Sequence, residues 1–175
     1  MLTFISKKRI MSMITLAVVV IFCTIPSIAQ EKLEVAGKIS ATVTESYNFG
    51  VGDTEGHIFH ISKSEGVNTS TGKNSMMEGA FVVNNNFSDL VKGIGSHHGY
   101  IIISNEGGST VAKWEGKVTT SVSGDKPLIT FEGTFTYISG TGKFDYIQGG
   151  GKYKGKYISP NTYLVDWDGV YSIKK

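Results

Sequence analysis

The chain has 175 residues, a length that predicts one domain and argues against a multi-domain enzyme. Its 17 Lys+Arg and 15 Asp+Glu give +2, but three of those cations are Lys7, Lys8 and Arg9. Without residues 1–29, 14 cations face 15 anions, which is no electrostatic footprint for nucleic acid or an anionic membrane.

Residues 1–29 have the pattern of a secretory signal peptide. Lys7-Lys8-Arg9 form a basic start, Ile14 to Ile25 is a mostly apolar run without charge, and Ser27-Ile28-Ala29 offers small residues for cleavage after Ala29. The run is shorter than the roughly 20 apolar residues a membrane helix needs. The expected address is therefore export, periplasmic or extracellular, with no integral membrane span once the signal is removed. Cys23 is the single cysteine and follows Phe22, where a lipoprotein signal would place a small residue. Residues 30–175 form the expected domain. They contain no cysteine, hence no disulfide, thiol nucleophile or cysteine metal site.

From Leu33 onward, period-two alternation recurs. Leu33, Val35, Ile39, Ala41 and Val43 share one face of the first strand. Residues 57–62 are short and strand-like. Met76 to Val83 reads as an apolar run ending at a polar Asn84-Asn85-Asn86 stretch, and Phe87 to Lys92 has the pattern of a helical turn. Tyr100 to Ser104 is β-branched, and Asn105-Glu106-Gly107-Gly108 is a hairpin signal.

Ala112, Trp114 and Val118 then alternate with Lys113, Glu115 and Lys117. Ser123 to Pro127 turns the chain. Ile129, Phe131, Phe135 and Tyr137 alternate with threonines and Glu132. After Gly140-Thr141-Gly142 and Gly149-Gly150-Gly151, Tyr153 and Tyr157 alternate with lysines. Beyond the Ser159-Pro160-Asn161 turn, Tyr163, Val165, Trp167, Tyr171 and Ile173 form the last apolar face.

The 22 glycines all follow position 36, dispersed among Val, Ile, Phe, Tyr and Thr, as expected of an ordered all-β chain. About eight short-spaced strands with no sustained helix predict a sandwich or barrel. Gly37, Gly79, Gly116, Gly133, Gly155 and Gly169 fall inside strand patterns. Glycine there relieves crowding in a tightly coiled sheet or where another group approaches. The expected fold is a single antiparallel β-barrel.

Phe131-Glu132-Gly133-Thr134-Phe135-Thr136-Tyr137-Ile138-Ser139-Gly140-Thr141-Gly142-Lys143-Phe144, followed by Gly149 to Gly155, resembles the G-T-G-x-F…G-x-G hairpin of the allene oxide cyclase and dirigent-like β-barrels. Val51-Gly52-Asp53-Thr54-Glu55-Gly56-His57 and Lys113-Trp114-Glu115-Gly116 are similar to segments of exported bacterial proteins expected to share that barrel. The resemblance spans roughly residues 33–173. It implies a small barrel, lipocalin-like in scale, with an apolar cavity for a hydrophobic or aromatic molecule. It places no catalytic residue on this chain, and fold alone does not establish activity.

Among the polar residues, His57 and His60 form H-x-x-H. On a strand, residues three apart point to opposite faces, so the pair does not chelate a metal, and none is expected. His57 shares a face with Phe59 and Ile61, which makes it the candidate inward polar anchor. Asp166 and Asp168 share a face opposite Trp167 and are expected in solvent, since two unpaired carboxylates in a dry barrel cost several kcal/mol. The glycine pairs and triplets do not join strand to helix and are no phosphate cradles, and there is no G-x-S-x-G elbow. Of the inward aromatics, Trp114, Tyr137 and Trp167 are the candidate ligand contacts.

The leading functional expectation is non-catalytic binding of a small hydrophobic or aromatic molecule, without a cofactor. An isomerase or cyclase steering a reactive ligand in the same cavity is the alternative. A structural envelope protein with a filled barrel is a third. No catalytic residue is assigned, and the sequence leaves a homo-oligomer open.

Overall fold

A computed structural model of the chain describes residues 31–123 and 126–174. The expected signal segment, with Cys23, and part of the Ser123 to Pro127 turn lie outside those residues. Eight strands follow in chain order: β1 (Leu33–Gly50), β2 (His57–Ser70), β3 (Phe81–Val91), β4 (Ile94–Asn105), β5 (Gly108–Ser123), β6 (Lys126–Gly140), β7 (Ile147–Tyr157) and β8 (Thr162–Ile173). Each pairs antiparallel with its chain neighbour, and β8 returns to β1 to close the barrel. The β1–β8 pairing closes the sheet over Leu33–Thr42, and beyond it β1 runs on to Gly50 paired with β2 alone.

The period-two pattern sets the inner wall. In β5 to β8 the inward residues are the predicted ones: Ala112, Trp114, Tyr137, Tyr153, Tyr163 and Trp167 are all buried. In the first part of β1, Val35, Ile39 and Ala41 are buried as expected. A bulge between Val43 and Glu45 then inserts Thr44 without a partner on β2. One extra residue exchanges the two faces of a strand. Beyond the bulge Ser46 and Asn48 turn inward, and Tyr47 and Phe49 are exposed.

Strands β2 and β3 depart from the expected pattern. The segment Phe87 to Lys92 is no helical turn; all but Lys92 belongs to β3. Asn84-Asn85-Asn86 runs through the middle of that strand, paired with both β2 and β4. Met76 and Met77 are not strand residues. They sit in the connection between β2 and β3 and are buried at one end of the barrel. Gly79 lies in the same connection at φ 65°, a conformation glycine adopts without a Cβ clash.

That connection is the plug. Asn68 is fully buried, and its Nδ2 donates to the Met76 and Met77 carbonyls at 3.2 and 2.8 Å. Phe144, from the short 3-10 turn Gly142–Phe144, and Ile147 are buried at the same end. The outer wall of β6 to β8 is charged. Lys38 pairs with Asp166, Lys154 with Glu132 at 3.1 Å and Lys152 with Asp168 at 3.8 Å. Asp166 and Asp168 are exposed, as expected of carboxylates opposite an inward Trp167. Among the described residues no helix is long and apolar enough to cross a membrane.

Candidate functional site

The side chains do not fill the barrel. A cavity of about 390 Å³ runs from above the plug toward the opposite end, where Asn48, Ile58, Leu90, Gly93, Pro160 and Asn161 line it. Its two walls differ in chemistry. Strands β5 to β8 supply an aromatic wall containing Trp114, Phe131, Phe135, Tyr137, Tyr157 and Trp167. The rings meet edge to face, as aromatic quadrupoles prefer: Phe131 and Tyr163 centroids are 5.7 Å apart at 83°, and Phe135 and Trp167 6.1 Å apart at 84°.

Strands β2 to β4 supply a polar wall of Ser62, Ser64, Asn84, Asn86, Ser88 and His97. All are neutral types, and no Asp, Glu, Lys or Arg lines the cavity among the described residues. A buried polar group is tolerated only when hydrogen-bonded. Among the described residues none of these buried side-chain nitrogens and oxygens lacks a partner.

Those partners reach across the barrel. Trp114 Nε1 donates to Asn84 Oδ1 at 2.9 Å, and Asn84 Nδ2 donates to the Tyr163 hydroxyl at 3.1 Å. The Tyr163 hydroxyl lies 2.6 Å from Ser64 Oγ. Trp167 Nε1 donates to Asn68 Oδ1 at 2.8 Å, which ties the aromatic wall to the plug. Tyr137 donates to Met76 Sδ at 3.5 Å.

His97 is the buried histidine of the cavity. It packs edge-on to Trp114 and Phe131, with centroids 4.8 and 5.7 Å apart. Burial pushes its pKa down to about 4. Burial raises the pKa of Tyr137 and Tyr153, and takes Tyr157 to about 12. At neutral pH the site therefore holds neutral imidazole and neutral phenols.

The candidates from sequence fall on both sides of the wall. Trp114, Tyr137 and Trp167 line the cavity. His57 does not. Ile58, His60, Ser62 and Ser64 face inward, so the alternate residues His57, Phe59 and Ile61 face outward. His57 instead bridges two carboxylates outside the barrel, with Nδ1 2.5 Å from Asp53 Oδ1 and Nε2 2.6 Å from Asp89 Oδ1. Both carboxylates raise its pKa, Asp89 most. The inward histidine of the pair is His60, whose Nδ1 lies 2.7 Å from Asn48 Oδ1.

The residues missed from sequence are Ser62, Ser64, Asn84, Asn86 and His97. One signal was present. Val82, Asn84, Asn86, Ser88 and Leu90 alternate with period two, which is a strand whose inner face is polar in the middle.

The fold and the cavity together define a class: an all-β, closed, antiparallel eight-stranded barrel with a neutral cavity. No family model matches the chain, and no curated protein matches it. Among solved structures it is similar to a pterocarpan synthase dirigent protein, at 11% identity and a TM-score of 0.46. That match covers 85% of this chain and 95% of the other. The barrel assignment rests on the closed ladder of strand pairs in this chain.

Proposed function

We propose that the protein is an exported receptacle that holds one small neutral hydrophobic or aromatic molecule in its barrel without transforming it. The observation that carries this reading is the cavity of about 390 Å³, in which an aromatic wall faces a polar wall free of charged side chains. Apolar burial drives such binding, and a few placed polar groups orient the guest. The signal pattern of residues 1–29 supports action outside the cytoplasm, as does the resemblance of Val51 to His57 and Lys113 to Gly116 to segments of exported bacterial proteins.

The test uses N-phenyl-1-naphthylamine, a neutral probe whose fluorescence rises in apolar surroundings. At about 0.3 kcal/mol per heavy atom its ~17 atoms give roughly 5 kcal/mol, a Kd of ~0.2 mM or tighter. Saturable 1:1 binding by the mature domain is expected. Val165→Trp, which adds bulk to a half-buried cavity position, should abolish it while the barrel stays folded. Unchanged binding by that variant would place the probe elsewhere and remove the cavity from the reading.

A second reading, isomerisation of a bound ligand, draws on His97, a cavity base hydrogen-bonded to Tyr153. Its lowered pKa makes it a weak base. Chemical change in a ligand recovered after incubation with the protein, absent with His97→Gln, would favour that reading over simple capture.

A further inference from the structure

We infer that the Ser64–Tyr163 pair keeps a surplus hydroxyl proton for the cavity, so that the cavity selects a neutral guest carrying a carbonyl or ether acceptor. The inference rests on the receptacle reading and specifies what the receptacle accepts.

The inference follows from counting protons along one chain of side chains. An indole N–H can only donate. The Asn84 atom 2.9 Å from Trp114 Nε1 is therefore its oxygen, and the amide nitrogen is turned to Tyr163 at 3.1 Å. The Tyr163 oxygen thus already accepts one hydrogen bond. Ser64 and Tyr163 bring two hydroxyl protons to a contact of 2.6 Å, and that contact uses one of them. If Tyr163 donates to Ser64, the Ser64 proton is left over. If Ser64 donates, the Tyr163 proton is left over. Both residues are buried and both line the cavity, so either arrangement leaves one proton for an acceptor within it.

The experiment measures competition against N-phenyl-1-naphthylamine by a shape-matched pair. 2-Acetylnaphthalene is compared with 2-isopropenylnaphthalene, which lacks the carbonyl oxygen. The carbonyl member is expected to bind roughly fivefold tighter, the value of one hydrogen bond of about 1 kcal/mol. Ser64→Ala and Tyr163→Phe alone should each keep the carbonyl preference, because the remaining hydroxyl still holds a free proton. The double variant should lose it. Ser62→Ala, which alters a neighbouring hydroxyl that receives Asn86 Nδ2 at 3.3 Å, should keep it.

Equal affinities within the pair overturn the inference while leaving the receptacle intact. A carbonyl preference that survives in the double variant, or disappears in Ser62→Ala, overturns the assignment to Ser64 and Tyr163. Failure of every probe to bind the folded wild-type barrel overturns the receptacle reading itself. If the double variant takes up no probe, the wild type and the single variants decide: no preference in the wild type, or its loss in either single variant, overturns the inference.

Discussion

The Tyr153 hydroxyl on β7 lies 3.0 Å from His97 Nε2 on β4, three strands away. The span works because the two residues between them in register, Gly133 and Gly116, have no side chain. A Cβ on either would stand 2.6 or 2.7 Å from the Tyr153 oxygen and about as far from, or closer to, neighbouring backbone. Gly37 gives Trp167 the same passage to Asn68, and Gly99 gives Trp114 its passage to Asn84. The strand glycines are the floor on which the cavity aromatics lie.

Gly116→Ala and Gly133→Ala are therefore each expected to destabilise the barrel by about 1–3 kcal/mol, the usual range for overpacking. The added methyl also displaces Tyr153 from His97. Urea unfolding of the variants checks the first effect. Substitution without loss of stability would show that Tyr153 does not lie across these positions.

This arrangement explains which parts of the molecule were legible from sequence. The aromatic wall was, because Trp114, Phe131, Tyr153 and Trp167 alternate with Lys, Glu, Thr and Asp, and the water-to-core contrast is largest there. The polar wall was not. On β2 the inward residues are Ser62, Ser64 and Asn68, while Phe59 and Ile61 face out, so the hydrophobic pattern points the wrong way. His57 was assigned to the cavity for that reason. Thr44 adds a second exchange of faces, since a bulge leaves no mark in composition. Gly37, Gly116 and Gly133 were expected to mark close approach, and the approaching groups are now named.

His97 sets an acid limit on stability. Its pKa of about 4 in the fold compares with about 6.5 for the unfolded chain. Between these values the unfolded state binds more protons, so stability falls as pH drops from about 6.5 to 4 and levels below that. The shift corresponds to a loss of about 3 kcal/mol from this residue. His97→Gln removes the titration and should flatten that part of the profile. Parallel wild-type and variant profiles over pH 4–7 would show that burial of His97 is not the source.

Asn68 fastens the plug to the aromatic wall. It accepts from Trp167 Nε1 and donates to two carbonyls of the Met76-Met77 segment. Asn68→Ala leaves Trp167 Nε1 and the Met76 carbonyl without this partner and the Met77 carbonyl with the Ala80 N–H alone, at roughly 3 kcal/mol in total. Trp167→Phe removes the indole N–H together with part of a buried ring, and so adds a cavity cost to the lost hydrogen bond. The plug should loosen before the barrel unfolds, so amide exchange of residues 71–80 is expected to accelerate more than that of β5 to β7. Uniform acceleration throughout the barrel would mean that the plug is no separate unit.

His57 ties the barrel rim together from outside the cavity lining. Its ring joins Asp53, in the connection between β1 and β2, to Asp89 on β3. The His57 pKa is raised by these partners, so its contribution is fully present below about pH 6.5 and is lost as pH rises through the folded value. The Asp53 pKa is lowered by His57, so the same contact fails at the acid end as Asp53 takes up a proton. The clamp works best in mildly acidic solution. His57→Ala should bind N-phenyl-1-naphthylamine as wild type does. Its Tm deficit should be larger at pH 5.5 than at pH 9, where the wild-type clamp is weakened. A variant that loses probe binding while keeping its Tm would return His57 to the ligand site.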